Sequence, residues 1–323
     1  MKKLLVLLLA LVVGFSMIGC PKKDKAGGAG GAIKVGIVNL HPSESGYREA
    51  NVKDMDAVFN AANGYDVKKA NDNTLDAQLN AARQFITEGV DYLLISAADA
   101  NGWDDVLKSA KDAGIKVFLF DRMINCDPSL YEAAVISDMV NQGKNAVAWL
   151  KSLNLDQYNI VHIQGQIGSA AQIGRTSPLD EAIAANSNWK LVRRGTGGDT
   201  WSPDEAKKIV EAAIAAGEDF NIVYAENDGM AEGAMKALQA AGITHGVSGK
   251  VKIMGFDFNK FALRYVLNGD WNFNGQCSPF QAQVIHEMIQ GKRPIQKKVI
   301  NDEIYLEAGK ITQADIDKYG LGD

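Results

Sequence analysis

The stretch IKVGIVNL, residues 33–40, is a short run rich in β-branched residues that is followed at once by His41 and Pro42. A run of this length and composition predicts a buried β-strand. Three similar runs follow, each after a gap long enough for a helix: Tyr65–Ala70, Asp91–Ser96 and Ile115–Asp121. Strands that alternate with helices predict a parallel sheet covered by helices on both faces.

The same order of elements resumes after Ser137 and Asp138. The strands predicted there are Asn159–Gln164, Lys190–Thr196, Phe220–Ala225 and Val251–Phe256. Helical spacing is clear in the gaps, for example at residues 74–88, where Gly89 ends the pattern, and at residues 203–216 before Gly217. The fold class is therefore α/β, with two doubly wound parallel-sheet domains.

The last part of the chain predicts further elements. Residues 273–276 and 299–306 are strand-like, and residues 279–290 are helical. If these segments cross back between the domains, three connections form a hinge. We expect an N-terminal lobe of residues 33–136 plus 278–300 and a C-terminal lobe of residues 139–275 plus 302–323.

The N-terminus is typical of an export signal. Lys2 and Lys3 precede an apolar run over residues 4–18, which is shorter than the roughly 20 residues of a membrane-spanning helix. A signal peptide at residues 1–19 is predicted, and a retained membrane anchor is the alternative. The sequence MIGC at residues 17–20 resembles a bacterial lipobox, which implies cleavage before Cys20, lipidation of its thiol, and a tether at residues 20–32. In an oxidising compartment Cys126 and Cys277 either pair or stay free.

Composition excludes several classes of function. The formal net charge of −5 argues against a nucleic-acid partner, because binding to phosphates needs a basic surface. Three cysteines and four scattered histidines do not make a zinc module. No nucleophile elbow, HExxH or P-loop occurs, so we expect neither an enzyme nor a metal or cofactor site.

Polar residues gather where the predicted strands end. Ligands of open parallel sheets bind outside the carboxyl ends of the strands, so these residues are candidates for one site. They are His41–Arg48, Asp121, Arg122, Gly165–Gly168, Arg175, Asn227, Asp228 and Asp257. Arginine donates, Asp accepts and Asn does both, which suits a polyhydroxylated neutral ligand such as a sugar, with the Tyr47 ring over its apolar face.

Each residue also has a simpler interpretation. Asn227 and Asp257 are placed to cap the helices that follow them. Arg175 and Arg48 are compatible with solvent-facing positions, and Asp121 with Arg122 is compatible with a strand-end charge pair. Their common placement at sheet edges favours the binding site.

Four motifs carry a family resemblance: SESGYR at 43–48, FDR at 120–122, YAEND at 224–228 and GFD at 255–257. Together they resemble the type I periplasmic sugar-binding proteins of ABC importers, most of all the galactofuranose-binding branch, over the chain from Ile33 onward. That branch has Trp at the position of Tyr47 and Asp at the position of Gly174. The resemblance implies hinge crossings at residues 137–138 and at Gln276. The ligand-binding residues it implies are Ser43, Tyr47, Arg48, Asp121, Arg122, Arg175, Asn227, Asp257 and Gln276.

The function expected from this resemblance is that of a lipid-anchored receptor on the periplasmic side of the envelope. It closes on one monosaccharide, galactofuranose-like or another aldose, and delivers it to an ABC permease with its ATPase. We expect a monomer that contacts the membrane only through its lipid. Alternatives are a sugar receptor for chemotaxis or a sensor kinase, and a glycoside-acting enzyme in which Asp121 and Asp257 act as acid and base. The arginine neighbours of these carboxylates argue against the enzyme.

Overall fold

A computed structural model describes residues 31–322 of the chain, and the structural statements below concern these residues. The predicted signal peptide at residues 1–19, the predicted lipidation site Cys20 and most of the predicted tether lie outside the described residues. Within residues 31–322 no helix is both long and apolar enough to span a membrane.

The strands follow the predicted order along the chain. They are β1 Ile33–Asn39, β2 Tyr65–Asn71, β3 Tyr92–Ile95, β4 Lys116–Asp121, β5 Ala133–Ile136, β6 Tyr158–Gln164, β7 Trp189–Thr196, β8 Ile222–Ala225, β9 Lys252–Phe256, β10 Phe273–Gly275, β11 Lys298–Ile300 and β12 Tyr305–Glu307.

Helices fill the gaps between the strands. They are α1 Gly46–Val58, α2 Leu75–Thr87, α3 Asp104–Asp112, α4 Met139–Ser152, α5 Ala170–Ala185, α6 Pro203–Ala215, α7 Asp228–Ala240, α8 Lys260–Asn268, α9 Ala282–Ile289 and α10 Gln313–Tyr319. Most begin at a polar cap. Ser45, Asp138, Ser169, Ser202 and Asn227 each accept a backbone N–H of the first turn.

The strands form two six-stranded sheets within the described part of the chain. Sheet A has the order β11-β5-β4-β3-β1-β2 and is parallel throughout. Sheet B has the order β12-β10-β9-β8-β6-β7 and is parallel except for the pairing of β10 with β12. We call the half of the chain built on sheet A lobe A and the half built on sheet B lobe B. The predicted fold class, two doubly wound parallel-sheet domains, is confirmed.

Each sheet is buried on both faces, as the apolar strands predict. In β4, Val117 and Leu119 belong to one core of lobe A, while the alternate residues Phe118 and Phe120 belong to the core on the other face. This alternation follows from the two-residue period of a strand. Lobe B has two cores in the same way.

The secondary structure differs from the prediction in two places. The sequence analysis missed β5, whose four residues Ala-Ala-Val-Ile carry no turn residue or alternation to mark a strand. It also predicted one strand over residues 299–306, where the structure has two: β11 in sheet A and β12 in sheet B. The chain passes between the lobes at residues 301–304, which separates the two strands.

Three segments of chain cross between the sheets. Residues 137–138 connect β5 to α4, residues 276–281 connect β10 to α9, and residues 301–304 connect β11 to β12. We call these three segments the hinge. The assigned lobe boundaries themselves stay a prediction.

Candidate functional site

The first loop and helix α1 of lobe A place Arg48 in the interior. Its Nε donates to Glu44 Oε2 at 3.1 Å and its Nη2 to Asp121 Oδ2 at 2.5 Å. Its Nη1 donates to the side-chain oxygens of Asn39 and Asn51 at 2.9 and 3.0 Å. The interpretation of Arg48 as a solvent-facing residue is therefore wrong, because the residue is 0% exposed. Arg48 supports Asp121 from behind.

Asp121 ends β4 with a backbone φ of 64°, a left-handed conformation. Its oxygens accept from Tyr47 Oη at 2.8 Å and from Ser96 Oγ at 2.7 Å. Burial raises the pKa of the Asp121 carboxyl, but the guanidinium groups of Arg48 and Arg122 outweigh burial and hold that pKa below its ordinary value. The carboxylate is ionised and remains an acceptor.

Arg122 has donors that no protein atom satisfies. Its Nη2 pairs with Glu44 Oε1 at 2.9 Å, whereas Nε and Nη1 are buried without a hydrogen-bond partner. The Nε atom lies 3.4 Å from Asp121 Oδ2, so the predicted charge pair exists as well. Buried donors without partners are costly, which makes Arg122 a strong candidate for contact with a ligand.

Lobe B contributes Trp201, which the sequence analysis missed. Its indole packs on Gly165, where a Cβ would stand 2.0 Å from the ring. The backbone of Trp201 has a φ of 50°. The ring lies between two guanidinium groups, 5.8 Å from Arg122 and 5.9 Å from Arg175. Its Nε1 is a further buried donor without a partner.

Helix α5 carries Arg175, which is 2% exposed, so the surface interpretation of this residue is wrong. Its Nη2 donates to Asp257 Oδ1 at 3.1 Å, its Nε to Gln142 Oε1 at 2.9 Å, and its Nη1 to the backbone carbonyl of Glu226. Burial raises the pKa of Asp257 to about 6, against the opposing effect of Arg175.

Of the two residues that could have been helix caps, one is a cap and the other is not. Asn227 does cap α7, since its Oδ1 accepts from Met230 N at 2.8 Å, and it also lines the cavity described next. Asp257 is not a cap, because Asn259 stands at the start of α8. Asp257 has a φ of 107° and faces Arg175.

These side chains enclose one cavity between the lobes, with a volume of about 20 Å³. A cavity of that size holds about one water molecule. The lining residues are Glu44, Ser45, Tyr47, Asp121, Arg122, Met139, Ala171, Arg175, Trp201, Asn227, Asp257 and Cys277. Outside the cavity the lobes touch through Gln166 Nε2, which donates to Asn73 O at 2.8 Å, and Ala100 N, which donates to Gly168 O at 3.2 Å.

Of the predicted ligand-binding residues, Tyr47, Asp121, Arg122, Arg175, Asn227 and Asp257 line this cavity. Arg48 does not line the cavity but donates a hydrogen bond to the lining residue Asp121. Ser43 is exposed, with Oγ 2.7 Å from His41 Nδ1, and Gln276 lies in the hinge, where its Oε1 accepts from Ile304 N at 3.2 Å. The structure does not bring Ser43 or Gln276 to the cavity wall.

Glu44, which lies within the predicted stretch His41–Arg48, also lines the cavity, as do Trp201, which was not singled out, and Cys277, which was considered only as a possible disulfide partner. Trp201 follows β7, so the strand-end argument extended to every loop would have found it. Burial raises the pKa of the Cys277 thiol, and neither Cys277 nor Cys126 forms a disulfide. Gly174 packs on α4, where a Cβ would lie 2.5 Å from Met139 Cβ and leave no room for an aspartate.

Two α/β lobes connected by three segments of chain, with buried donors and acceptors meeting between them, are the architecture of a protein that binds a small polar ligand. The periplasmic binding protein domain family matches residues 35–290, and the chain belongs to that family. Its fold is the type I fold of that class, and the family places the chain in the periplasm.

Relatives agree with this assignment. The galactofuranose-binding protein YtfQ of Escherichia coli is 39% identical over 63% of this chain and 65% of its own length. A crystal structure of a galactofuranose binding protein superposes with a TM-score of 0.79, at 29% identity, over 89% of this chain and 97% of that one. The binding component of the arabinose ABC transporter of Shewanella sp. ANA-3, bound to L-arabinofuranose, gives 0.79 at 28% identity over 88% and 95%. These comparisons confirm the prediction that the chain is a type I sugar-binding protein. The relatives are sugar-binding proteins and not enzymes.

Proposed function

We propose that this chain is the substrate-binding protein of an ABC importer and that it binds one monosaccharide in the furanose ring form, galactofuranose-like, in the cavity between its lobes. The observation that carries the proposal is the set of unpaired buried donors, Arg122 Nε and Nη1 and Trp201 Nε1, on one cavity that also presents the Asp121 and Asp257 carboxylates. A sugar hydroxyl both accepts and donates, so it satisfies both kinds of group.

Ring contacts complete the proposed site. Trp201 and Tyr47 present apolar ring surface to the cavity from the two lobes, while Arg122, Arg175, Asn227 and Asp257 form hydrogen bonds to hydroxyls. Arg48 acts through Asp121. Ser43 and Gln276 stay predictions that need a different arrangement of the loop and hinge.

Hinge closure is the proposed mechanism. A monosaccharide is much larger than the water molecule that a cavity of about 20 Å³ holds, so it enters only when the lobes stand further apart. Its contacts to both lobes then favour the closed arrangement over the open one. The lobe boundaries at 33–136 with 278–300 and at 139–275 with 302–323 belong to this proposal. Membership of β11 in sheet A and of β12 in sheet B supports them.

Support for the furanose comes from relatives that bind such rings, one named for galactofuranose and one bound to L-arabinofuranose. The test is calorimetric titration of the mature protein with methyl β-D-galactofuranoside, methyl β-D-galactopyranoside, L-arabinose and D-fructose. We expect the furanoside to bind at micromolar Kd or tighter, about −8 kcal/mol, and the pyranoside at least about tenfold more weakly. A preference for the pyranoside contradicts the ring form, and no heat with any of the four sugars contradicts the site.

The anchor and the partners are also proposals. We propose that Cys20 is lipidated, that the protein is a monomer held to the membrane by that lipid, and that an ABC permease with its ATPase receives the sugar. The MIGC motif at residues 17–20 supports the anchor. Replacing Cys20 by Ser should move the protein from the membrane fraction to the soluble fraction of exported proteins. A variant that stays in the membrane fraction contradicts the lipid assignment.

A further inference from the structure

The three hinge segments meet at one carboxylate, that of Glu303. Its Oε1 accepts from Ser137 Oγ at 2.5 Å and from the backbone N–H of Ser278 at 2.8 Å. Ser137 belongs to the first crossing, Ser278 to the second and Glu303 itself to the third. The Glu303 carboxylate, which belongs to one hinge segment, therefore contacts both of the others.

The second oxygen of Glu303 points to the cavity side of the hinge. Its Oε2 accepts from Gln142 Nε2 at 2.7 Å. Gln142 lies in the first turn of α4 and is 4% exposed. The other end of the same amide, Gln142 Oε1, accepts from Arg175 Nε at 2.9 Å. Glu303, Gln142 and Arg175 thus form a continuous chain of hydrogen bonds, which we call the relay, from the hinge to the cavity wall.

The donor and acceptor roles in the relay are fixed at both of its ends. Arg175 Nε can only donate, and an ionised Glu303 can only accept. The Gln142 amide satisfies both ends in a single orientation, with its oxygen toward Arg175 and its nitrogen toward Glu303. Turning the amide by half a rotation would set its N–H groups against the Arg175 donor and its oxygen against the carboxylate.

Arg175 needs this orientation because its direction is fixed by all three of its nitrogen groups. Nη2 faces Asp257, Nη1 faces the Glu226 carbonyl and Nε faces Gln142. Losing the Nε acceptor leaves a buried N–H unpaired and frees the guanidinium to tilt away from the cavity. A tilt of this kind changes the place of donors that a bound molecule must meet.

We propose that Glu303 is a positioning residue that acts through Gln142 to set the Arg175 guanidinium for binding, so that the geometry of the hinge and that of the binding site are coupled. This inference rests on the proposed binding of a sugar by Arg175. If it holds, exchanging the donor and acceptor roles of residues 303 and 142 should restore binding that each single change weakens. A general loss of packing would not be restored in this way.

Three variants test the relay. In Glu303→Gln the new amide keeps its oxygen toward the Ser278 N–H, so its own N–H groups face those of Gln142. In Gln142→Glu two carboxylates face each other. Each single variant should bind methyl β-D-galactofuranoside at least about tenfold more weakly than the parent. The double variant Glu303→Gln with Gln142→Glu restores a donor opposite an acceptor at both contacts, and its Kd should return to within about threefold of the parent.

The matched control is Asp302→Asn, which makes the same chemical change at the exposed neighbouring residue of the same segment. It should bind like the parent protein. Melting temperature and far-UV circular dichroism report whether each variant folds. If Glu303→Gln fails to fold, the double variant still decides: folding with near-parental affinity supports the relay, and loss of folding or binding overturns it.

A second readout does not depend on any sugar. Hydrogen exchange of the Arg175 Nε–H, followed by NMR and assigned with Arg175→Lys, should be slow in the parent, fast in Glu303→Gln and slow again in the double variant. Unchanged exchange and affinity in Glu303→Gln overturn the relay. If the exchange pattern appears but the parent protein binds none of the four sugars, the relay stands and the proposed ligand class fails.

Discussion

Replacing Arg122 by Met should weaken binding of methyl β-D-galactofuranoside by about 30- to 1000-fold, or about 2–4 kcal/mol. Two of the donors of Arg122, Nε and Nη1, are buried with no partner in the protein, so the ligand is their expected acceptor. Its guanidinium also lies over the Trp201 ring from the opposite lobe. The fold should tolerate the change, because Glu44 keeps its ion pair with Arg48. Calorimetric titration gives the affinity.

The matched control is Arg193→Met in β7. Arg193 pairs with Glu218 on lobe B, about 30% exposed and away from the residues that line the cavity. The Arg193→Met variant should bind the sugar within about twofold of the parent affinity, because Arg193 does not line the cavity. An Arg122→Met protein that binds as the control does would show that Arg122 does not contact the sugar.

Replacing Arg48 by Met should destabilise lobe A by about 3–5 kcal/mol. Arg48 is fully buried and pairs with two buried carboxylates, Glu44 at 3.1 Å and Asp121 at 2.5 Å. Removing it leaves the Asp121 carboxylate with the more distant Arg122 Nε as its cationic neighbour, and it removes the hydrogen bonds to Asn39 and Asn51. Urea unfolding followed by circular dichroism measures the loss as a lower midpoint.

Lys53→Met provides the control on the same helix. Lys53 and its partner Glu49 are exposed, so the free energy of unfolding should change by less than about 0.5 kcal/mol. Adding Asp121→Asn to Arg48→Met removes one of the uncompensated charges and should recover part of the stability. Equal midpoints for Arg48→Met and Lys53→Met would contradict the buried charge cluster.

The fold could be predicted from the sequence because its strands are buried on both faces. Such strands appear as apolar runs, and β1, β4, β6 and β9 were placed to within a residue or two. The element that escaped, β5, is recognisable only by its neighbours β4 and β11, which are contacts in space and not in sequence.

The candidate site was predicted as far as strand ends determine it. Asp121, Arg122, Asn227 and Asp257 each end a parallel strand or follow one within two residues, and the structure brings them to one cavity. Burial of Arg48 and Arg175 follows from the carboxylates that face them across the fold. Spacing along the chain does not reveal such partners, and this is also why Glu303 and Gln142 stayed unnoticed.

Two acceptors of the cavity, Asp121 and Asp257, stand on backbone with φ of 64° and 107°. Residues other than Gly, Asn and Asp adopt such values at a cost of about 1–3 kcal/mol. In engineering this protein into a biosensor for a different carbohydrate, few amino acids are therefore suitable at positions 121 and 257. Randomised libraries are better directed to Tyr47 and Arg122, which are not among the described residues with positive φ.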